Sequence, residues 1–112
     1  VLYYNFNTPL SASAYKTGDK KFYIDVYTTA PIGTVITLQL ETSAATAINY
    51  PTGRYARFTA TTTSNTGWQR LGFDFLDSPD GSAASTVTKM VFLFNSNSNT
   101  GDTYHFDNFD SY

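Results

Sequence analysis

The sequence predicts an all-β fold: an antiparallel two-sheet β-sandwich of jelly-roll type with no substantial helix. Three observations carry this. Apolar residues alternate with polar ones in run after run, and no segment holds a helical apolar period over three turns. The 112 residues include nine Phe, nine Tyr and one Trp, and they are rich in Thr while Glu41 is the sole Glu, a composition that favours strands. Clusters of Gly, Pro, Asn and Asp separate the runs every 10–15 residues or so, the spacing of a sandwich.

Seven strands follow in order. The opening "VLYYNFN" places the first at about 1–7. "KKFYIDVYT" sets Phe22, Ile24 and Val26 against Tyr23, Asp25 and Tyr27, a half-buried strand over 20–28. "TVITLQLE" sets Ile36, Leu38 and Leu40 against Val35, Thr37, Gln39 and Glu41, giving 34–42. A fourth strand over 53–60 turns Tyr55 and Arg57 outward. "RLGFDF" sets Leu71, Phe73 and Phe75 inward in a fifth over 68–76. "KMVFLFN" is apolar on both faces, so the sixth, 87–95, belongs in the middle of its sheet. The closing "TYHFDNFDSY" supplies the seventh over 103–110. Its Phe106 and Phe109 break a period of two, and a bulge near Asp107 or Asn108 reconciles them. Phe22, Ile24, Val26, Leu38, Leu40, Phe73, Phe75, Phe92, Phe94 and Phe106 form the expected core. "KTGDK", "APIG", "YPTG", "SNTG", "DSPDG" and "NSNSNTGD" are the expected turns.

The totals narrow the function. A chain of this length makes one domain, 1–112, and buries about two-thirds of its unfolded surface. Net charge is −2 with seven Lys and Arg, scattered, so nothing argues for nucleic acid. No apolar run approaches the roughly 20 residues of a membrane helix. Cysteine is absent, which removes disulfides and thiolate metal sites. Without an initiator Met or a signal peptide, the chain reads as a module cut from a larger secreted, extracellular protein.

Catalytic chemistry finds little to work with. His105 is the sole His, and no G-x-S-x-G elbow is present. Asp25, Glu41, Asp74 and Asp107 are the candidates for a carboxylate pair, which needs a cleft that a small sandwich rarely makes. Asp107 is flanked by Phe106 and Phe109 on a strand expected to be buried, where a lone carboxylate is costly. Two readings stand side by side: a ligand to calcium, which needs only oxygens, or an acceptor of N–H groups at a bulge.

The outward faces carry aromatic and planar polar groups together. Tyr23, Tyr27, Gln39, Arg57, Trp68 and Arg70 are the candidate ligand-binding residues, with Asp25, Glu41, Tyr55, Asp74 and His105 beside them. Flat rings stack on sugar rings much as on bases, and forked polar groups grip hydroxyls. Exposed Tyr also simply packs across strands. Trp68, two residues ahead of the apolar set of its strand, is either a core edge or a stacking platform.

"GRYARFTATTTSNTGWQRLGFDF", "TVTKMVFLFN" and "GDTYHFDNFDSY", in that order, resemble the β-sandwich carbohydrate-binding modules grouped in families four, sixteen and twenty-two. They resemble still more the modules appended to bacterial secreted polysaccharide-degrading enzymes. "KKFYIDVYTT" and "TLQLE" fit the same pattern, and the resemblance spans about residues 20–110. It implies a jelly-roll without catalysis, a polysaccharide or oligosaccharide ligand, an attached catalytic domain, and a structural calcium with Asp107 among its ligands. The opening "VLYYNFNTPLSAS" does not clearly supply the acidic partner such a site often has. Neutral β-glucans fit the charge better than uronic polymers. The competing readings are a structural or adhesive spacer of a surface protein and a small polysaccharide hydrolase or lyase.

Overall fold

Alternation turns into strands wherever one face of a run can be buried, and eight form among the described residues. The computed structural model describes residues 2–94 and 101–112; Val1, the end of the expected strand 87–95 and most of the expected turn "NSNSNTGD" lie outside them. In order come β1 (Leu2–Ser11), a single helical turn α1 (Ser13–Thr17), β2 (Phe22–Thr28), β3 (Val35–Glu41), β4 (Arg54–Thr61), β5 (Gln69–Gly72), β6 (Asp74–Asp77), β7 (Thr86–Phe94) and β8 (Tyr104–Ser111). They build a five-stranded sheet, order β1-β7-β3-β4-β6, and a three-stranded sheet, order β5-β2-β8. All ladders are antiparallel. The class is all-β, and β7, apolar on both faces, lies inside its sheet between β1 and β3, one place from the edge rather than at the centre. Among the described residues no helix is long and apolar enough to cross a membrane.

The two sheets share one apolar cluster. Phe22, Ile24 and Val26 of β2, Leu38 and Leu40 of β3, Phe58 of β4 and Phe92 of β7 are all buried in it. Phe22 meets Phe58 edge-on across the sheets at 5.8 Å. Tyr15 of α1 lies flat on Phe22 at 3.9 Å between centroids, so the helical turn plugs the core beside β2.

Three expectations are corrected. The expected strand 68–76 is two strands in different sheets: β5 pairs with β2, and β6 pairs with β4. Phe73 marks the crossing. It is buried, and its N–H donates to the Phe22 carbonyl at 3.0 Å, which holds the corner where the chain changes layers. Phe75, expected inside, is 42% exposed. It faces inward opposite Phe58, but β6 is the outermost strand and has only the edge of the core over it. Tyr55, expected outward, is buried. The β3–β4 register shifts between Leu40↔Ala56 and Glu41↔Arg54, so Tyr55 is the extra residue of a bulge. It turns inward and hands its outward place to Arg54.

The bulge expected near Asp107 is present. The β2–β8 pairing jumps from Asp25↔Asp107 to Tyr23↔Asp110, and Asn108 sits at φ +49°, a left-handed conformation that Asn tolerates better than most residues. Before the bulge, His105 and Asp107 point away from the core. After it, Asp110 and Tyr112 do. Phe106 and Phe109 both reach inward, to 6.3 and 6.0 Å from Phe92.

Candidate functional site

Pairing on the three-stranded sheet sets its outward side chains in rows. Tyr23 is opposite Gly72 on β5 and Asp110 on β8; Asp25 is opposite Arg70 and Asp107; Tyr27 is opposite His105 and, one step beyond β5, beside Trp68. The Tyr27 row is an aromatic line in which Tyr27 meets Trp68 at 5.8 Å and His105 at 6.2 Å, each edge-on. Trp68 is 57% exposed, so its ring is a wall of this face rather than a plug of the core. At the other end Tyr23 stacks on Tyr112 at 4.8 Å. Gly72 leaves space for this: a Cβ there would lie 3.1 Å from the Tyr23 ring.

Between the aromatic ends runs a polar network. Arg70 Nη1 donates to Asp25 Oδ1 at 3.1 Å and to the Asn108 carbonyl at 3.2 Å, and Nη2 donates to Asp110 Oδ2 at 2.8 Å. The Asn108 amide donates to Asp25 Oδ2 at 2.9 Å. The guanidinium also lies 5.4 Å from the centre of the Tyr23 ring. Asn108, and after it Arg70, hold the Asp25 carboxyl below its usual range. Asp25, above all other neighbours, raises Arg70 further and keeps it a cation. A general acid at neutral pH needs the opposite displacement, so this acid is tuned for fixed ionic contact.

Four of the six sequence candidates therefore share one face: Tyr23, Tyr27, Trp68 and Arg70. Gln39 and Arg57 sit opposite each other on the five-stranded sheet. Gln39, expected to be accessible, is 8% exposed and donates to Glu41 Oε2 at 2.8 Å. Arg57 is held by both carboxylate oxygens of Asp77, with Nε to Oδ1 at 2.8 Å. That contact raises Arg57 and lowers Asp77 from their ordinary values. Over this second face folds the segment 42–53. Arg54 grips it through Asn49 Oδ1 and the carbonyls of Thr46 and Thr52 at 2.8–2.9 Å, and Tyr50 stands exposed above the guanidinium.

Of the two readings of Asp107, the geometry matches the acceptor of an N–H at a bulge, while the burial expected of it is corrected. Its side chain is exposed, and Oδ1 accepts the N–H of Asn108 at 2.8 Å. The case for calcium from burial falls away, since an exposed carboxylate carries no desolvation cost that a metal must relieve.

Sequence reasoning missed Asn108, Asp110 and Tyr112 as parts of the small-sheet face. The Phe106/Phe109 spacing that required a bulge also shifts every later residue by one, which puts Asp110 and Tyr112 outward. No family model, curated protein or solved structure matches the chain.

Proposed function

We propose that the chain is a non-catalytic carbohydrate-binding module of jelly-roll type, and that its ligand face is the outward side of the three-stranded sheet. The observation that carries this is the gathering of Trp68, Tyr27, Tyr23 and Tyr112 around the Arg70–Asp25–Asn108 network. Rings offer stacking surfaces for sugar faces, and fixed donors and acceptors between them offer partners for hydroxyls. The side chains are already tied to one another, so little rotamer freedom remains to be lost on binding, which favours affinity on an open surface. The motifs quoted above support the same reading. It places the module outside the cell, beside a catalytic domain that it would hold near a polysaccharide by effective concentration.

Neutral β-glucan is the expected ligand class, because the three arginines on the two faces already have carboxylate partners and are poorly placed to attract an acidic polymer. Affinity electrophoresis through gels containing neutral or uronic polysaccharides tests this directly. Retardation by a neutral glucan, lost in Trp68→Ala, is expected. Migration unaltered by every polysaccharide would sink the proposal in favour of a structural spacer, and turnover of polymer by the isolated chain would sink it in favour of an enzyme.

A further inference from the structure

The two sheets differ in width, and the mismatch is not shared equally between their edges. On one side β6 is partly covered: Lys16 of α1 reaches over Tyr55 and Phe75 at 4.8 and 5.8 Å. On the other side β8 lies over β7, with Phe94 at 5.0 Å from Tyr104 and 4.9 Å from Phe106. Beyond β8, among the described residues, no strand of the small sheet lies over β1. The inward side chains of β1 face a cleft of about 550 Å³, lined by Leu2, Tyr4 and Phe6 on one wall and by Phe106, Asp107 and Phe109 on the other. Leu2 and Tyr4 are 47% and 56% exposed.

We infer that this cleft is a vacant strand position, filled by an extended segment of a partner polypeptide. Such a segment adds to the free edge of β8 and lowers alternate apolar side chains onto Leu2, Tyr4 and Phe6. Strands in a sheet lie about 4.8 Å apart and facing sheets about 10 Å, so one strand beside β8 would stand over β1. The wall formed by β8 decides the chemistry of the occupant. At the bulge the Asn108 N–H and carbonyl are taken by Asp107 Oδ1 and Arg70; on either side of it β8 is an edge strand, whose outer backbone N–H and C=O groups another strand satisfies in register. A small apolar molecule would fill the space and leave those groups unpaired, at a cost for each.

Charge separates a foreign strand from a second copy of this chain. β8 carries Asp107 and Asp110 and no Lys or Arg. Two β8 edges paired about a twofold axis would bring these acids together, and like charges across a ladder are destabilising. Asp110 has Arg70 as a partner, whereas Asp107 makes no ion pair among the described residues. The complementary strand therefore carries a Lys or Arg where it passes Asp107.

The probe is a capped peptide of about ten residues alternating Val with Thr and bearing a central Lys, the length of a long strand. Two companions replace Lys with Glu or cluster the Val residues without changing composition. Binding is read by titration calorimetry, and its place by hydrogen exchange of the β8 amides. The Lys peptide is expected to bind and protect β8. The clustered peptide is expected to fail. Asp107→Lys should reverse the preference between the Lys and Glu peptides by about two- to fivefold in each direction. Leu2→Lys with Tyr4→Lys, both at exposed positions, should abolish binding while neutral glucan retention persists. Unchanged exchange at β8 with the Lys peptide present overturns the inference. So does equal binding of the clustered peptide, a fatty acid that fills the cleft without protecting β8, or a concentration-dependent dimer that closes it.

Discussion

Replacing Trp68 with Ala separates a stacking wall from a core residue. Trp68 is 57% exposed, so it buries a little under half of the roughly 250 Å² that such a side chain offers. At about 25 cal/mol per Å² the loss is at most ~2.7 kcal/mol, and a compact unfolded chain reduces it toward ~1.6. A fully buried Trp lost to Ala would cost about 3–5 kcal/mol. Trp68→Ala should therefore melt below the parent by under about 10 °C, still as a folded protein with unchanged far-UV circular dichroism. Its effect on a glucan should be larger in proportion: about 1–3 kcal/mol per stacked ring, or roughly five- to 150-fold in Kd, read by calorimetry or gel retardation. Trp68→Phe, which keeps a ring at the site, should recover much of the affinity. Unfolding of Trp68→Ala, or an unaltered Kd in a folded variant, would refute the assignment of this ring to the ligand face.

Phe73→Ala should cost about 3–5 kcal/mol in chemical denaturation, because it empties the corner where the chain passes between sheets. Gly53→Ala should cost about 1–3 kcal/mol by the same assay, since Gly53 has φ +80° and a Cβ there would lie 2.6 Å from the Ala45 nitrogen. The Asp25 carboxyl is held below its ordinary value of 3.8 by Asn108 and Arg70. Its contribution is therefore complete above about pH 4 and fades as pH falls through the lower folded value; Asp25→Asn should flatten that part of an acid melt. Chelator should leave Tm unchanged, as the exposed Asp107 suggests. A lowered Tm that Asp107→Ala abolishes would restore calcium to that residue.

The strands legible in the sequence were those with a strict period and a single partner face. β2 is the plainest case, with Phe22, Ile24 and Val26 buried and Tyr23, Asp25 and Tyr27 at the surface. The extra strand was not legible, because "RLGFDF" keeps one period across Phe73 while its backbone changes sheets. Nor was Tyr55: a bulge on β4 reverses parity, and "GRYARF" has no Gly or Asn at that position to signal one. Gln39 keeps the outward parity that its sequence position dictates, yet it is covered. Burial there comes from long-range neighbours, which alternation does not encode. For the ligand face, the aromatic residues were readable one by one, whereas their assembly depended on which strands paired. Arg57 and Arg70 look alike in sequence, and only the sheet order places them on separate layers.

The bulge at Asn108 makes the last strand serve two masters through one residue. Upstream of it odd-numbered positions point to solvent; downstream even-numbered ones do. Deleting Asn108 would remove the extra residue and let the strand alternate without a break, with Phe109 opposite Ile24 and Asp110 still opposite Tyr23. The same side chains would stay inside and outside. What would go is the left-handed kink and the contacts Asn108 makes with Asp25 and Arg70. The extra residue thus leaves the inward pattern as a regular strand would have it and adds polar contact to the surface alone.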